Sequence, residues 1–259
     1  MAANVLLDFM KKEGNVLVTL SSDHPTPTSI VATLLELDIH LPADRSSLVV
    51  DHFNYDSTSA AEKHDVLLVP YPKPLRNDVR NYFQGEGLIA VPRAVGQTLG
   101  NESPLLAPIL RAPKTAYSYS TKEEATIVED PFATGEQLDL VSAIQAHNSA
   151  RLTVLGSAEM LQNQWFGAKA TLNGKPVTTA NRDFVKKVVG WTFKELGVLK
   201  VGNLQHYLDE GAVKKPINDS AFDAPENNPK IYRIKNDVVC LFYHSIGEWA
   251  QLTTLDLQC

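Results

Sequence analysis

Five polar side chains lie within one short stretch of the sequence, DHFNYD at residues 51–56. They are Asp51, His52, Asn54, Tyr55 and Asp56. Carboxylates, an imidazole, an amide and a phenol together could hold sugar hydroxyls or a polar head group. One interpretation is therefore a ligand-binding loop. The other is a structural loop, in which Asp51 accepts hydrogen bonds from main-chain amides and the aromatic groups are satisfied by main chain.

The sequence contains no recognisable catalytic or metal-binding motif. Ser157 follows an apolar run as a nucleophile would, but LGSAE around it lacks the second glycine of a nucleophile elbow. We therefore predict that Ser157 lies in a turn and caps a helix. The seven histidines are scattered, without helical pairing or a neighbouring cysteine pair, so no metal site is predicted. Neither a GxGxxG motif nor a P-loop occurs, and no cofactor is predicted.

Two alternatives stay open beside a non-catalytic role. The first is an independent α/β hydrolase or amidotransferase-like enzyme that uses Asp51, His52 or Ser157, which requires these side chains to meet in one cleft. The second is a free glycan-binding module built on the loop at residues 51–56. A calorimetric titration with a high-mannose oligosaccharide would test the second.

The composition is that of an ordinary soluble domain. The chain has 259 residues, of which 44% are hydrophobic and 21% are charged, and this length allows one large or two smaller domains. The formal net charge is −6, and no basic face is evident, which argues against a nucleic-acid partner. No apolar run approaches the roughly 18 residues that a membrane span needs.

The candidate loop follows an apolar run at residues 47–50, so it should leave the carboxyl end of a buried strand, where open α/β sheets bind ligands. Further continuous apolar runs are typical of strands covered on both faces. They lie at residues 15–20, 66–69, 88–91 and 152–155. Residues 92–113 contain several prolines and little periodicity, and we expect a long irregular connection there. The Asn173-Gly174 pair predicts a tight turn.

The clearest helix is predicted from Asn181, as its capping residue, to a stop at Gly197. Its apolar stripe has three- and four-residue spacing. The stripe consists of Phe184, Val185, Val188, Val189, Thr192, Phe193 and Leu196. An apolar run at residues 198–201 follows, and the succession of strand, helix and strand indicates an α/β core. We predict a Rossmann-like layered domain with a mostly parallel sheet over residues 1–202, incomplete at its N-terminus.

The composition and pattern of the sequence change after residue 202. Residues 203–230 are polar, whereas three later segments read as strands, at residues 231–235, 238–244 and 248–255. We therefore predict that residues 203–259 form the start of a β-rich antiparallel domain.

Several segments, in the same order along the chain, resemble the 48 kDa subunit family of oligosaccharyltransferase. They are VDHFNYD at residues 50–56, RLTVLGSAE at 151–159, WTFKELGVLKVG at 191–202, and the tail from IYRI at 231–234 to GEW at 247–249. No one of these motifs decides the matter, but the ordered set is specific and spans most of the chain.

The resemblance implies a non-catalytic lumenal part of a single-pass membrane protein of the endoplasmic reticulum. Members of the family begin with a signal peptide and end in a transmembrane helix. Neither is evident here, and we expect a fragment of the lumenal part. The implied partners are the catalytic subunit and a ribophorin II-type subunit, and the subunit would help to position the dolichyl-linked oligosaccharide donor.

Two features near the end of the chain could be modified. Asn218, in Asn218-Asp219-Ser220, is the better of two acceptor sequons for N-glycosylation, because Pro104 weakens the one at Asn101. Of the two cysteines, Cys240 lies in an apolar run and is expected to be buried, while a bridge from it to Cys259 stays open.

Overall fold

The structure is a computed structural model. It describes residues 3–45, 47–72, 81–100, 103–120 and 130–197, together with five strands beyond residue 205. Three α-helices and twelve strands lie within residues 3–197. The helices are α1 (Ala3–Lys11), α2 (Thr28–Glu36) and α3 (Asn181–Thr192). The strands are β1 (Val16–Thr19), β2 (Ile39–His40), β3 (Leu48–Val50), β4 (Val66–Pro70), β5 (Leu88–Pro92), β6 (Thr98–Leu99), β7 (Leu106–Arg111), β8 (Tyr117–Tyr119), β9 (Asp139–Gln145), β10 (Arg151–Leu155), β11 (Lys169–Leu172) and β12 (Lys175–Thr178).

A four-stranded mixed sheet in the order β1-β10-β9-β7 forms the centre of the α/β fold. β1 runs parallel to β10, whereas β9 runs antiparallel to both β10 and β7. The prediction of a mostly parallel sheet is therefore wrong for the described residues. The reason is the short connection between β9 and β10, residues 146–150, because a parallel pair needs a crossover of a dozen or more residues.

Both faces of this sheet are covered around β10. Leu152 packs in a buried apolar cluster with Met10 of α1 and Leu34 of α2. Its neighbour Thr153, which points to the opposite face, lies 2.7 Å from Thr192 of α3, measured between the two hydroxyl oxygens. The helices therefore flank the sheet on two sides, which explains why all five residues of β10 are buried.

β7 lies in the segment predicted to be an irregular connection, so that prediction is wrong. The prolines of this segment argued against a strand, but Pro108 lies inside β7. β7 is an edge strand of the sheet, where a residue without an amide hydrogen is tolerated, and its register against β9 shifts next to Pro108. The tight turn predicted at Asn173-Gly174 is confirmed. It joins the antiparallel pair β11 and β12, and both turn residues have positive φ angles, as such hairpins require.

Asn181 begins α3 but does not cap it, contrary to the prediction. The position before the helix is Ala180, and no side chain caps the helix. The Asn181 amide instead reaches β5, where its Oδ1 accepts from the Ala90 amide at 2.8 Å and its Nδ2 donates to the Ala90 carbonyl at 2.7 Å. This fully buried residue fastens α3 to β5.

The end of α3 also differs from the prediction. The helix stops four residues before Leu196, and Lys194, not Gly197, makes the first left-handed turn, with φ 63°. Arg151 of β10 supports this end by donating to the Leu196 carbonyl at 2.8 Å. Phe193 and Leu196, which were predicted to belong to the buried stripe, are therefore exposed at 48% and 37%.

We expect Asn181→Ala to lower the free energy of unfolding by roughly 2–3 kcal/mol, because it leaves both polar groups of the Ala90 peptide buried without a partner. Urea unfolding of the purified chain would measure the change. Asn163→Ala, at an exposed position in a short 3₁₀ turn, is the matched control and should change the stability little. Equal effects of the two substitutions would contradict the role given to Asn181.

The strands beyond residue 205 are β13 (His206–Glu210), β14 (Val213–Pro216), β15 (Tyr232–Ile234), β16 (Cys240–His244) and β17 (Glu248–Leu252). β13 pairs antiparallel with β14 and β15, and β16 pairs with β17. The last three strands lie where the sequence predicted them. By contacts, the chain forms two units, Met1–Leu196 with His244–Glu248 and Gly197–Tyr243 with Trp249–Cys259. The predicted boundary at residue 202 stays a prediction. Asn218, Cys259 and the apolar run at residues 198–201 lie outside the described residues.

Candidate ligand-binding site

The loop at residues 51–56 follows β3 directly, at the carboxyl end of that strand, as predicted. It lies between β8 and β4: Asn54 accepts from the Leu68 amide of β4 at 2.9 Å through its main-chain carbonyl, and the His52 ring contacts Tyr117 of β8. The loop is therefore bound on two sides, by the next strand in the chain, β4, and by β8, whose Tyr117 comes 65 residues after His52. The question is which of its five polar side chains are available to a ligand.

Asp51 is committed to the loop itself. Its carboxylate is fully buried and accepts from the main-chain amides of Phe53 at 2.8 Å and Asn54 at 3.2 Å. It also accepts from the Asn54 side-chain amide at 2.9 Å and from the Thr115 hydroxyl at 2.8 Å. The Asn54 amide donates in addition to that same hydroxyl, at 3.1 Å. These contacts favour the interpretation of Asp51 as a structural residue of the loop. They favour the same interpretation for Asn54, because its side-chain amide is used within the loop.

Asp56 is held in the same way at the other end of the loop. Its carboxylate accepts from the main-chain amides of Thr58 at 3.1 Å and Ser59 at 3.2 Å, from the Ser59 hydroxyl at 2.5 Å, and from the Thr171 amide of β11 at 2.7 Å. Burial raises the pKa of Asp56, but the hydrogen bonds from Ser59, Thr171 and Thr58 outweigh it, so the pKa lies below its ordinary value. Asp56 is a charged anchor between this loop and the β11–β12 hairpin.

His52 and Tyr55 are the members of the loop that remain open to a ligand. The exposed His52 ring contacts the His64 ring through their Nδ1 atoms, and its Nε2 lies 3.0 Å from the Tyr117 hydroxyl. The Tyr55 ring stacks on His64 with centroids 4.0 Å apart. His64 and Tyr117 could not be assigned to this site from local sequence, because they lie 12 and 65 residues from His52. Together the four rings form a surface that we call the ring cluster.

The donor and acceptor roles in the ring cluster form a consistent chain of hydrogen bonds. His64 Nε2 faces the Ala61 carbonyl at 3.2 Å and must donate to it, so in the neutral ring Nδ1 is an acceptor. His52 can then donate to it through Nδ1 and accept from the Tyr117 hydroxyl through Nε2. Both imidazoles are oriented in this way without any further group.

Asp51, His52 and Ser157 do not form a catalytic triad. The Ser157 hydroxyl is buried and donates to the Pro92 carbonyl, while the other two side chains have the partners given above. Ser157 precedes a short 3₁₀ turn but does not cap it, which corrects the prediction of a helix cap. The geometry therefore removes the alternative of a hydrolase built on these three residues.

Neither a metal-holding cluster nor a bilayer-spanning helix occurs in the part of the chain that the structure describes. No group of three or more histidine, cysteine or carboxylate side chains is placed to hold a metal ion there. Among the helices in the same residues, none has the length and apolar character needed to cross a bilayer.

Residues 1–195 match the family model described as OST48, N-terminal domain. The chain is 31% identical over 248 residues to dolichyl-diphosphooligosaccharide–protein glycosyltransferase subunit wbp1 of Schizosaccharomyces pombe, covering 96% of this chain and 51% of that protein. It is 30% identical over 210 residues to the 48 kDa subunit of the same transferase in Danio rerio, covering 77% of this chain and 44% of that protein. The chain thus spans about half the length of the curated relatives it matches.

Among solved structures, a chain titled mmIFT52 N-terminal domain superposes with a TM-score of 0.48 at 16% identity. The superposition covers 73% of this chain and 69% of that chain.

Proposed function

The chain belongs to the OST48 family, and from that membership we propose that it is the lumenal part of a non-catalytic oligosaccharyltransferase subunit. In this role it supports N-linked glycosylation of asparagine by holding the transferase complex together. The family match over residues 1–195 is the observation that carries the proposal. The relatives are named as subunits of a dolichyl-diphosphooligosaccharide–protein glycosyltransferase, which favours the endoplasmic reticulum lumen as the location.

The role that we propose requires no bond-making group in this chain. The side chains that could have served as nucleophile, base and acid each have structural partners: Ser157 binds a main-chain carbonyl, and Asp51 and Asp56 bind loop amides. Catalysis would then belong to another subunit of the complex.

The ring cluster is our candidate for contact with the dolichyl-linked oligosaccharide donor. Of the five residues singled out in the loop, we retain His52 and Tyr55 as ligand contacts, and we add His64 and Tyr117. His52 is exposed and the other three rings are partly exposed, so the cluster offers both hydrogen bonds and flat apolar faces, which suits the hydroxyls and C–H faces of sugars. The free glycan-binding module, the remaining alternative, would use the same surface without the complex.

We further propose that residues 1–202 correspond to one Rossmann-like α/β domain and residues 203–259 to the start of a β-rich domain. The helices on both faces of the sheet around β10 support the first part, and the antiparallel strands β13 to β15 support the second.

Co-purification tests the assembly role. We expect the tagged full-length protein, taken from detergent-solubilised membranes, to bring down the catalytic subunit and a ribophorin II-type subunit. An unrelated tagged membrane protein of the same compartment serves as the control. Recovery of the full-length protein without other transferase subunits would contradict the proposal and would leave the glycan-binding module as the better explanation.

A further inference from the structure

A cleft of about 390 Å³ lies beside the edge strand β7, and none of its lining residues belongs to the loop at residues 51–56. Its lining combines a carboxylate, a guanidinium, an amide and an apolar rim, provided by Asp139, Arg111, Gln137 and Phe132. We propose that this cleft binds one pyranose ring of an oligosaccharide, with Asp139 and Arg111 sharing its hydroxyls. The inference rests on the proposed function for the biological source of the sugar, but its test does not.

Asp139 is the group that points to a ligand. It lies on β9 directly opposite Arg111 of β7, and only 6% of its side chain is exposed. Its Oδ1 has no hydrogen-bond partner among the residues that the structure describes. The nearest cationic atom, Arg111 Nε, is 3.7 Å away, which is too far for a hydrogen bond. A buried carboxylate oxygen without a hydrogen-bond partner destabilises the folded protein, unless a ligand or another group donates a hydrogen bond to it.

A hydroxyl group placed beside this pair, on the side of the cleft, can bridge the two side chains. It can donate its hydrogen to the Asp139 carboxylate while its oxygen accepts from the Arg111 guanidinium. Adjacent hydroxyls on a sugar ring repeat this pattern at a fixed spacing, so a pyranose can engage both charged groups together. Burial raises the pKa of Asp139 to about 7, although Arg111 lowers it in part. A hydroxyl that donates to the carboxylate favours its charged form and so opposes the effect of burial.

The charge and shape of the cleft favour a neutral ligand over an ion. Arg111 and Asp139 have opposite charges, and the remaining acid of the lining, Glu136, lies 4.0 Å from Lys114. Phe132 is 40% exposed and offers a flat face for the C–H groups of a sugar. The volume is in the range of small-molecule sites, which begins at about 300 Å³.

The cleft and the ring cluster are neighbours along β8. The carbonyl of Ala133, which lines the cleft, accepts from the Ser118 amide of β8 at 3.1 Å. The adjacent residue of β8, Tyr117, contacts His52 of the ring cluster. An oligosaccharide longer than one ring could therefore contact both surfaces.

The test is an NMR titration of the isotope-labelled 259-residue chain with methyl α-D-mannopyranoside, methyl α-D-glucopyranoside and N-acetylglucosamine. We expect at least one sugar, at millimolar concentration, to shift the amide signals of β7, β9 and residues 130–139. The pH midpoint of the Asp139 carboxyl signal should fall when that sugar is bound. Arg111→Gln should weaken binding about tenfold or more, since a charged hydrogen bond is lost.

Two matched controls keep the result specific. Arg182→Gln removes an exposed arginine from α3, and Phe193→Ala removes an exposed phenylalanine; neither should change the affinity. Phe132→Ala should weaken binding and serves as the second test variant if Arg111→Gln does not fold. The absence of shifts with all three sugars would overturn the inference, as would equal affinity of Arg111→Gln and Arg182→Gln. Shifts produced by acetate or ethylammonium in place of sugars would also overturn it.

A second titration compares a glycopeptide with the lipid-linked oligosaccharide in detergent, both carrying the same glycan. Binding in either arm that Arg111→Gln weakens supports the cleft, binding that this substitution leaves unchanged contradicts it, and the stronger arm identifies the source of the sugar. Loss of sugar binding in Arg111→Gln with normal co-purification of the other subunits would separate this inference from the assembly role. Failure of co-purification would leave the sugar titration unaffected.

Discussion

Asp139→Asn will make the protein more stable than the unmodified chain above neutral pH, while the two chains will be nearly equal in stability below about pH 4. Burial raises the pKa of Asp139 from its ordinary value of 3.8 to about 7, although the Arg111 guanidinium lowers it in part. The folded protein therefore holds this proton more tightly than the unfolded chain does. The stability that protonation provides is complete below 3.8 and is lost as the pH rises to about 7.

Since one pKa unit corresponds to about 1.4 kcal/mol, this rise corresponds to a loss of roughly 4 kcal/mol across the window. Asparagine keeps the shape of the side chain and carries no charge, so the variant should not show this loss. Urea unfolding at a series of pH values measures both curves. The carboxyl ¹³C signal of Asp139 gives its pKa directly.

Asp130→Asn is the control for this experiment, because Asp130 is exposed and its substitution removes no charge from a buried position. It should follow the pH dependence of the unmodified chain. If Asp139→Asn also follows that dependence, the carboxylate of Asp139 is already stabilised in the folded protein, and the unpartnered acceptor inferred for the cleft does not exist.

Local patterns in the sequence predicted much of the secondary structure. Four apolar runs became the mostly buried strands β3, β4, β5 and β10, as continuous apolar segments should. The run at residues 15–20 also became a strand, β1, but this edge strand is only partly buried. The Asn173-Gly174 turn was predictable for a similarly local reason, since these residue types accept the positive φ angles of a hairpin. Each of these features depends only on neighbouring residues.

Sheet topology was harder to predict, because it depends on connections and on competition between elements. The short link between β9 and β10 requires an antiparallel pair, which the prediction of a mostly parallel sheet did not take into account. Asn181 shows the competition directly. Its side chain could have capped α3, but the unpaired peptide of Ala90 in β5 lies within reach and takes both hydrogen bonds.

The position of the loop after β3 was predictable from the apolar run before it, but the partners of its side chains were not. Asp51 and Asp56 looked available because carboxylates are common in binding loops, yet the turns of the loop leave main-chain amides that only these oxygens reach. His64 and Tyr117 come from distant parts of the chain, and no local window pairs them with His52.

Replacing Asp51 and His52 separately will distinguish a residue that stabilises the loop from one that contacts a ligand. Asp51→Ala should lower the free energy of unfolding by roughly 4 kcal/mol or more, because two main-chain amides, the Asn54 amide and the Thr115 hydroxyl lose their acceptor in a buried place. His52→Ala removes an exposed ring and should change stability by less than about 1 kcal/mol. Urea unfolding compares the two, and Asp51→Asn, which keeps one acceptor oxygen, should lie between them.

Glycan binding should respond in the opposite order. His52→Ala should weaken the contact of a lipid-linked oligosaccharide with the ring cluster, whereas Asp51→Asn, wherever the chain stays folded, should leave it nearly unchanged. The measurement is a titration under conditions in which circular dichroism shows each variant to be folded. If Asp51→Asn abolishes binding while His52→Ala does not, the carboxylate contacts the ligand after all. In that case the four hydrogen-bond partners of the Asp51 carboxylate would describe only the state of the loop without a ligand.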